Sequence, residues 1–391
     1  MTLPAAMALR LEDHAVQPAA RVGVIGAGQL ARMLHEAAVP LNVEVRVLTE
    51  DLGACAVRAG AVPVLGSDQD LDDLRALAAG CDVVTFEHEL ADLSLVDELA
   101  SEVPVRPSAR ATRTAQDKLH GRRALQAGGF PCPRFRPVYD LEDIHGFMLE
   151  IEGPAVLKAR SGGEGGRSVW MIDDAASAKR AWDEAFARRL NVLVEERVAI
   201  RSEVSVLVAR SPNGQRVAYP VLETRHVDGT CHEVHLPAQV GDDQAAQAVE
   251  LGLHLAEALD VAGVLAVELF ITDDGMLVNE LSLRPHNSGH VTIEACATSQ
   301  FQQHLRAILG WPLGSPRLVA PCAVMVNVFG NDAGGDPSHQ LPSALAVPEV
   351  YPHLYGKLAQ SGRKLGHVTA LGERREEVLA RARAATAVLR R

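Results

Sequence analysis

An α/β protein is predicted by three features of the sequence. Residues 21–25 form a short apolar strand that passes through the turn Gly26-Ala27-Gly28-Gln29-Leu30 into a helical segment at 31–38. That βα unit presents a helix N-terminus able to receive an anion. Residues 154–160 form a strand carrying Lys158 near its end, which opens into a glycine-rich stretch. Residues 264–271 and 276–278 are apolar strands joined by Thr272-Asp273-Asp274-Gly275, whose Asp-Gly pair signals a hairpin.

The elements follow in order. A strand at 43–48 leads to Glu50, resembling the acidic residue that holds a ribose in dinucleotide folds. The glycine turn matches that fingerprint weakly, because Gln29 and Leu30 are bulky beside it, and a lone turn of this kind is more often a structural connection. The strand at 81–86 runs out into Glu87-His88-Glu89, and ligands of open α/β sheets gather at such carboxyl ends. A boundary falls at 104–108, after which 115–128 reads as one helix bearing Gln116, Asp117 and Lys118 and ended by Gly128-Gly129.

Beyond the link at 130–133, the strand with Lys158 is followed by Ser161-Gly162-Gly163-Glu164-Gly165-Gly166-Arg167-Ser168. Its glycines leave backbone N–H groups free to approach phosphates, while Lys158 and Arg167 supply charge. A flexible surface hairpin is the alternative; no Gly-Lys-Ser or Gly-Lys-Thr follows, so this is not a Walker loop. A strand at 191–198 leads into Glu195, Glu196, Arg197 and Val198. Backbone groups there can read an adenine edge, and Glu203 can hold ribose hydroxyls; taken alone, the two acids read as a solvated strand end. Side chains alternate faces along a strand, so Glu268 and Glu280 can meet across the later hairpin. Two carboxylates beside Asn279 form an oxygen-rich set suited to magnesium. The next segment, Arg284-Pro285-His286-Asn287-Ser288-Gly289-His290, gathers groups that core packing does not require.

Length and composition frame these elements. With 391 residues the chain should hold two or three domains. A formal charge of -12 argues against a nucleic-acid or anionic-membrane partner, so an anionic ligand must be met by local cations. Six cysteines without CxxC spacing fit reduced thiols in a cytoplasm. No apolar run approaches the ~20 residues of a membrane helix, and residues 1–20 read as a flexible extension.

The order of lysine strand, glycine loop, acid-ended strand and two carboxylate strands resembles the ATP-grasp superfamily. Within it the chain is similar to the 5-(carboxyamino)imidazole ribonucleotide synthase family. The marks run from Gly26-Ala27-Gly28-Gln29-Leu30 and Arg32-Met33 through Thr85-Phe86-Glu87-His88-Glu89, Gln116-Asp117-Lys118, Asn279-Glu280 and residues 284–290 to Gly362-Arg363-Lys364-Leu365-Gly366-His367. The resemblance implies a Rossmann-like parallel-sheet domain at 21–117, a two-lobed ATP-grasp domain at 118–313 and a small β-rich domain at 314–391. It also implies a cytoplasmic homodimer that phosphorylates bicarbonate with ATP and carboxylates 5-aminoimidazole ribonucleotide, with Mg2+ or Mn2+ as the metal.

For the site, the resemblance implies that Glu268 and Glu280, helped by Asn279, hold the metal. Lys118 and Lys158 meet the ATP phosphates under the loop Gly163, Glu164, Gly165, Gly166, Arg167 and Ser168. Glu195, Glu196, Arg197 and Val198 line the adenine, with Glu203 at the ribose and His226 as a further nucleotide contact. Arg284 suits the carboxyl intermediate, since a planar guanidinium binds two oxygens at once; a salt bridge to Glu268 or Glu280 is its structural alternative. Gln29, Leu30, Glu87, His286, Asn287 and Ser288 face the ribonucleotide, and Lys357, Arg363 and Lys364 take its 5'-phosphate.

Two departures stand out. Family members carry Gly-Gly-Tyr-Asp-Gly-Lys/Arg-Gly in the loop, where this chain has Gly162-Gly163-Glu164-Gly165-Gly166-Arg167-Ser168, so catalytic work by the loop falls to Glu164 and Arg167. Ala31 stands where glycine is common. Other ATP-grasp ligases, such as a formate-dependent glycinamide ribonucleotide transformylase or biotin carboxylase, share the Lys158, Glu268 and Glu280 frame. A non-catalytic nucleotide-binding regulator fits the missing Tyr-Asp pair. An NAD-dependent oxidoreductase would use the first turn and Glu50, but leaves residues 268–290 without a task.

Overall fold

A computed structural model describes residues 17–162, 168–332 and 334–391. The first sheet is parallel, in the order β3-β2-β1-β4, from β1 (Ala20–Ile25), β2 (Val43–Thr49), β3 (Val62–Leu65) and β4 (Val83–Phe86). Helices α1 (Gln29–Ala38), α2 (Cys55–Arg58), α3 (Leu71–Ala78) and α4 (Leu93–Leu99) alternate with its strands, as parallel crossovers require. The strand begins one residue inside the predicted extension, and Ala19 N donates to Asn42 O at 2.7 Å. The turn residues Gln29 and Leu30 are the first turn of α1 rather than a loop before it.

The predicted helix at 115–128 is two helices, α5 (Ala109–Gln116) and α6 (Lys118–Ala127). Asp117 adopts an extended backbone between them, accepts from His120 N at 3.0 Å to cap α6, and pairs with Arg160. An aspartate offers the new helix the acceptor that its first N–H groups lack. The break turns Lys118 and Arg122 inward from the start of α6.

A second, antiparallel sheet runs β5-β8-β6-β7, from β5 (Phe135–Val138), β6 (Ala155–Ala159), β7 (Val169–Ile172) and β8 (Val192–Glu196). Helices α7 (Leu141–Ile151) and α8 (Ala175–Ala187) cover it, each opened by an aspartate capping box. Strands β6 and β7 are antiparallel neighbours, with Lys158 paired with Val169.

The third sheet has nine strands, and it unites what the sequence suggested were separate parts. Strands β9 (Ser202–Arg210), β10 (Arg216–Ala218), β11 (Leu222–Val227), β12 (Thr230–Leu236), β13 (Gly263–Thr272) and β14 (Gly275–Ser282) are joined by β15 (Cys322–Phe329), β16 (Val350–Leu354) and β17 (Lys364–Gly372). The order is β14-β13-β9-β11-β12-β15-β17-β16, with β10 on β9. The C-terminal strands extend this sheet through the β12–β15 pairing, and α13 (Arg375–Leu389) packs with them in one apolar core that includes Val324, Val368, Val378 and Leu389. Helix α9 (Asp242–Ala258) lies in the core with β9 and β13. Short helices α10 (Thr292–Ala295) and α12 (Leu341–Ala344) complete the chain with α11 (Gln300–Ile308).

One core joins the first sheet to the third. Leu30, Met33 and Leu34 of α1 share it with Phe301, Leu305 and Ile308 of α11, and Phe301 is 1 % exposed. Phe301→Ala is expected to destabilise the chain by ~3–5 kcal/mol, read as a lower urea midpoint, whereas a loss under about 1 kcal/mol would contradict this packing.

Candidate active site

The site is built where the second and third sheets face each other across α6. Glu268 of β13 and Glu280 of β14 are direct cross-strand partners, so their carboxylates share one face. Glu280 opens into the cleft with 46 % of its side chain exposed, and Lys118 Nζ meets its Oε1 at 2.5 Å. Desolvation by the surrounding protein opposes ionisation of Glu280, but Lys118 and then Lys158 outweigh it and hold the carboxyl down to about 2. Desolvation and then the charge of Glu280 push Glu268 up to about 7. Two carboxylates forced together in this way cannot both ionise easily unless a cation lies between them.

Asn279, between these groups, donates through Nδ2 toward Glu268 Oε2 at 3.4 Å and accepts from Lys158 Nζ through Oδ1 at 3.2 Å. Lys158 also contacts Glu195 Oε2 at 2.8 Å, and the other oxygen of Glu195 accepts from Arg122 Nε at 2.7 Å. Arg122 Nη2 donates to the Asn279 carbonyl at 2.7 Å. Glu195 is 1 % exposed; burial opposes its ionisation, and Lys158 followed by Arg122 brings it down to about 2. Its side chain therefore faces away from solvent, which leaves only its backbone for an adenine edge.

Its neighbours are spread along the strand end. Glu196 receives Arg134 N at 2.8 Å and Arg134 Nε at 3.0 Å, Arg197 pairs with Asp173 at 2.6 Å, and Val198 lies in the linker after β8. Glu203 Oε2 lies 3.1 Å from His226 Nδ1 across β9 and β11. Ser168 Oγ accepts from Arg188 Nη2 at 2.9 Å. Gly163, Glu164, Gly165, Gly166 and Arg167 lie outside the described residues.

At the other end of the carboxylate pair, His286 Nε2 is 3.5 Å from Glu268 Oε1 and Nδ1 is 2.9 Å from Ser288 Oγ. Burial, reinforced by the charges of Arg284 and Lys364, brings His286 down to about 3, so its ring is neutral. Gln300 fixes the turn: Oε1 accepts from His286 N at 2.9 Å, and Nε2 donates to His286 O at 2.8 Å. A Cβ on Gly289 would stand 2.1 Å from Gln300 Oε1, which explains the glycine in the motif. Ser288 is 1 % exposed and donates to Ser205 Oγ at 3.1 Å; Asn287 opens the short 3₁₀ turn Asn287–Val291.

Arg284 pairs with Glu89 at 2.8 Å rather than with Glu268 or Glu280. Glu87, expected at the ribonucleotide, accepts from Gly28 N and, at 3.1 Å, from Leu30 N. Its carboxylate thereby fills the N-terminus of α1, and a Cβ at Gly28 would lie 2.3 Å from Glu87 Oε1. A dinucleotide pyrophosphate has no room where that carboxylate already sits, which removes the oxidoreductase reading.

The basic tail residues divide. Lys364, at the start of β17, acts on His226 and His286, whereas Lys357 and Arg363 act on Cys55 together with Arg32. Arg58 Nη1 donates to Gly356 O at 2.9 Å, and a Cβ at Gly356 would lie 3.4 Å from Arg32 Nη1. Arg32 and Arg58 thus stand beside Lys357 at the mouth of the first sheet, and Gln29 opens α1 there. Sequence reasoning assigned no role to Arg32, Arg58 or Arg122. Arg32-Met33 was visible as a motif; the other two gave no signal.

The donor set fits a hard divalent ion. Among the described residues no group of three His, Cys, Asp or Glu side chains could hold a metal alone. Two carboxylates and the Asn279 amide supply oxygen ligands while leaving positions for phosphate oxygens, the usual arrangement for magnesium with a nucleotide.

Known proteins agree with this geometry. A family model described as ribonucleotide synthetase preATP-grasp domain matches residues 19–116, the ATP-grasp domain matches 123–301, and the phosphoribosylaminoimidazole carboxylase C-terminal domain matches 323–381. The N5-carboxyaminoimidazole ribonucleotide synthase of Mycobacterium tuberculosis is 47 % identical over 359 residues, covering 90 % of this chain and 83 % of that protein. The chain belongs to the N5-carboxyaminoimidazole ribonucleotide synthase family. The Bacillus subtilis member is 32 % identical over 369 residues, covering 94 % of this chain and 95 % of its own. The solved synthase of Aspergillus clavatus in complex with ADP and 5-aminoimidazole ribonucleotide superposes with a TM-score of 0.87 at 32 % identity, covering 96 % of this chain and 99 % of the other. Its complex with ATP gives 0.88 at 33 % identity, covering 95 % and 98 %. The α/β ATP-grasp architecture is that of this synthase family.

Glu280→Gln should abolish ATP turnover while leaving the urea midpoint within the range of ordinary surface changes; unchanged turnover would remove Glu280 from the metal site. Arg363→Ala should mainly raise the KM of the acceptor nucleotide, whereas Lys364→Ala should also lower kcat, because Lys364 lies toward His226 and His286. Equal effects of the two variants on KM alone would contradict this division.

Proposed function

We propose that this chain uses ATP to carboxylate 5-aminoimidazole ribonucleotide with bicarbonate, giving 5-(carboxyamino)imidazole ribonucleotide, ADP and phosphate in purine biosynthesis. The observation that carries the reading is the Glu268–Glu280 pair, with Lys118 and Lys158 at one end and His286, Arg284 and Lys364 toward the other. ATP phosphates belong at the lysine end, and the acceptor nucleotide at the end that reaches the first sheet.

Lys118 and Lys158 would draw the phosphates, while the linker through Glu196, Arg197 and Val198 and the Glu203–His226 pair lie along the nucleoside. Phosphoryl transfer to bicarbonate gives carboxyphosphate, whose carboxyl group is captured by the exocyclic amine with loss of phosphate. Arg284, held in orientation by Glu89, would place its guanidinium against that anion. Neutral His286 would serve as a hydrogen-bond partner rather than as a charge. Gln29 and Leu30 would bound the acceptor, and Lys357 and Arg363, with Arg32 and Arg58 nearby, would meet its 5'-phosphate. Glu268, Glu280 and Asn279 would hold Mg2+ or Mn2+, which supplies charge neutralisation to the transferring phosphoryl group.

No helix among the described residues is long and apolar enough to cross a membrane. A cytoplasmic homodimer accompanies the proposed activity.

A substrate panel tests the reading. Phosphate release should require ATP, Mg2+, bicarbonate and 5-aminoimidazole ribonucleotide together. Release with formate and glycinamide ribonucleotide instead would place the chain with a neighbouring ligase, and ATP binding without release under any combination would favour a regulator.

A further inference from the structure

We infer that Arg122 is a positioning residue that leaves the buried Arg122–Glu195–Lys158 row with a net positive charge facing the ATP phosphates, by taking up one oxygen of the Glu195 carboxylate. The inference rests on the reading of Lys158 as a phosphate contact. Three charged side chains form a closed row: Arg122 Nε to Glu195 Oε1 at 2.7 Å, and Glu195 Oε2 to Lys158 Nζ at 2.8 Å. Their side chains are 5 %, 1 % and 12 % exposed, so only the lysine end approaches the cleft. Two cations share one carboxylate, and one positive charge is left over. Because each oxygen of Glu195 faces a different cation, the surplus is not cancelled at Lys158.

Without Arg122, Lys158 and Glu195 would form a neutral pair, and the cleft would lose the attraction that an anionic nucleotide feels. Lys118 is not an equal substitute, since Glu280 Oε1 lies 2.5 Å from that ammonium and offsets its charge. Arg122 has a second attachment: Nη2 donates to the Asn279 carbonyl at 2.7 Å, one residue before Glu280. It therefore ties β8 of the second sheet to β14 of the third. A guanidinium suits the task because its fork reaches two acceptors in fixed directions and its charge survives burial.

A charge account and a purely structural account differ in the effect of removing both partners. Titration calorimetry with Mg·ADP on the full chain should show affinity falling roughly tenfold or more in Arg122→Met. Arg122→Met/Glu195→Gln, which restores one positive charge, should bind within about threefold of the wild type. Glu195→Gln alone should not bind more weakly than the wild type. The double variant removes both buried partners and leaves Lys158 with the Asn279 amide at the cleft, and urea unfolding checks that it remains folded. Arg122→Met binding within about threefold of the wild type, or a double variant as weak as the single, would overturn the inference. Lys158→Met separates this from the parent reading: if it binds Mg·ADP like the wild type, Lys158 is not a phosphate contact and both fall; if it binds weakly while Arg122→Met does not, only the role of Arg122 falls.

Discussion

The molecule depends on two carboxylates that one β-ladder places directly opposite each other. Glu268 and Glu280 are cross-strand partners, and each makes the other harder to ionise. The surrounding groups divide the problem: Lys118 stabilises the charge of Glu280 in the cleft, while Glu268 remains near neutrality with Asn279 and His286 beside it. Glu268, Glu280 and Asn279 would hold a divalent cation whose charge would offset that repulsion, leaving Lys118 to the nucleotide phosphates. Internal ion pairs hold these groups in place, with Lys118 on Glu280 and with Lys158 and Arg122 on Glu195.

That constraint explains why three sheets must meet. The hairpin β13–β14 supplies the acids, β6 and β8 supply Lys158 and Glu195, and α6, set by the break at Asp117, brings Lys118 and Arg122 between them. The first sheet contributes through Glu89, which orients Arg284, and through Glu87, which caps α1 from the neighbouring strand. Continuity of the third sheet into β17 then carries Lys364 toward His286 without a separate docking surface.

Much of this was legible in the sequence. Apolar strands carrying a single acid, the Asp-Gly turn and the lysine strand before a glycine loop depend on neighbours a few residues away, and local pattern reveals them. The role of Glu87 was not legible, since its partners Gly28 and Leu30 lie more than fifty residues earlier and a strand-end acid looks like a ligand group. Arg122 sits among polar residues in a helix and reads as solvated; only the fold buries it against Glu195. The break at Asp117 was hidden because residues on both sides favour helix. Sheet continuity through β12 and β15 depends on pairing across some ninety residues, which no local signal records.

The central claim is that the opposed carboxylates hold the metal of a bound nucleotide. Electron paramagnetic resonance of Mn2+ titrated into the protein with ADP tests it without relying on turnover. The wild type should hold one ion per chain in an ADP-dependent manner, and Glu268→Gln/Glu280→Gln should lose that signal while remaining folded. An unchanged ADP-dependent signal in the double variant would contradict the account.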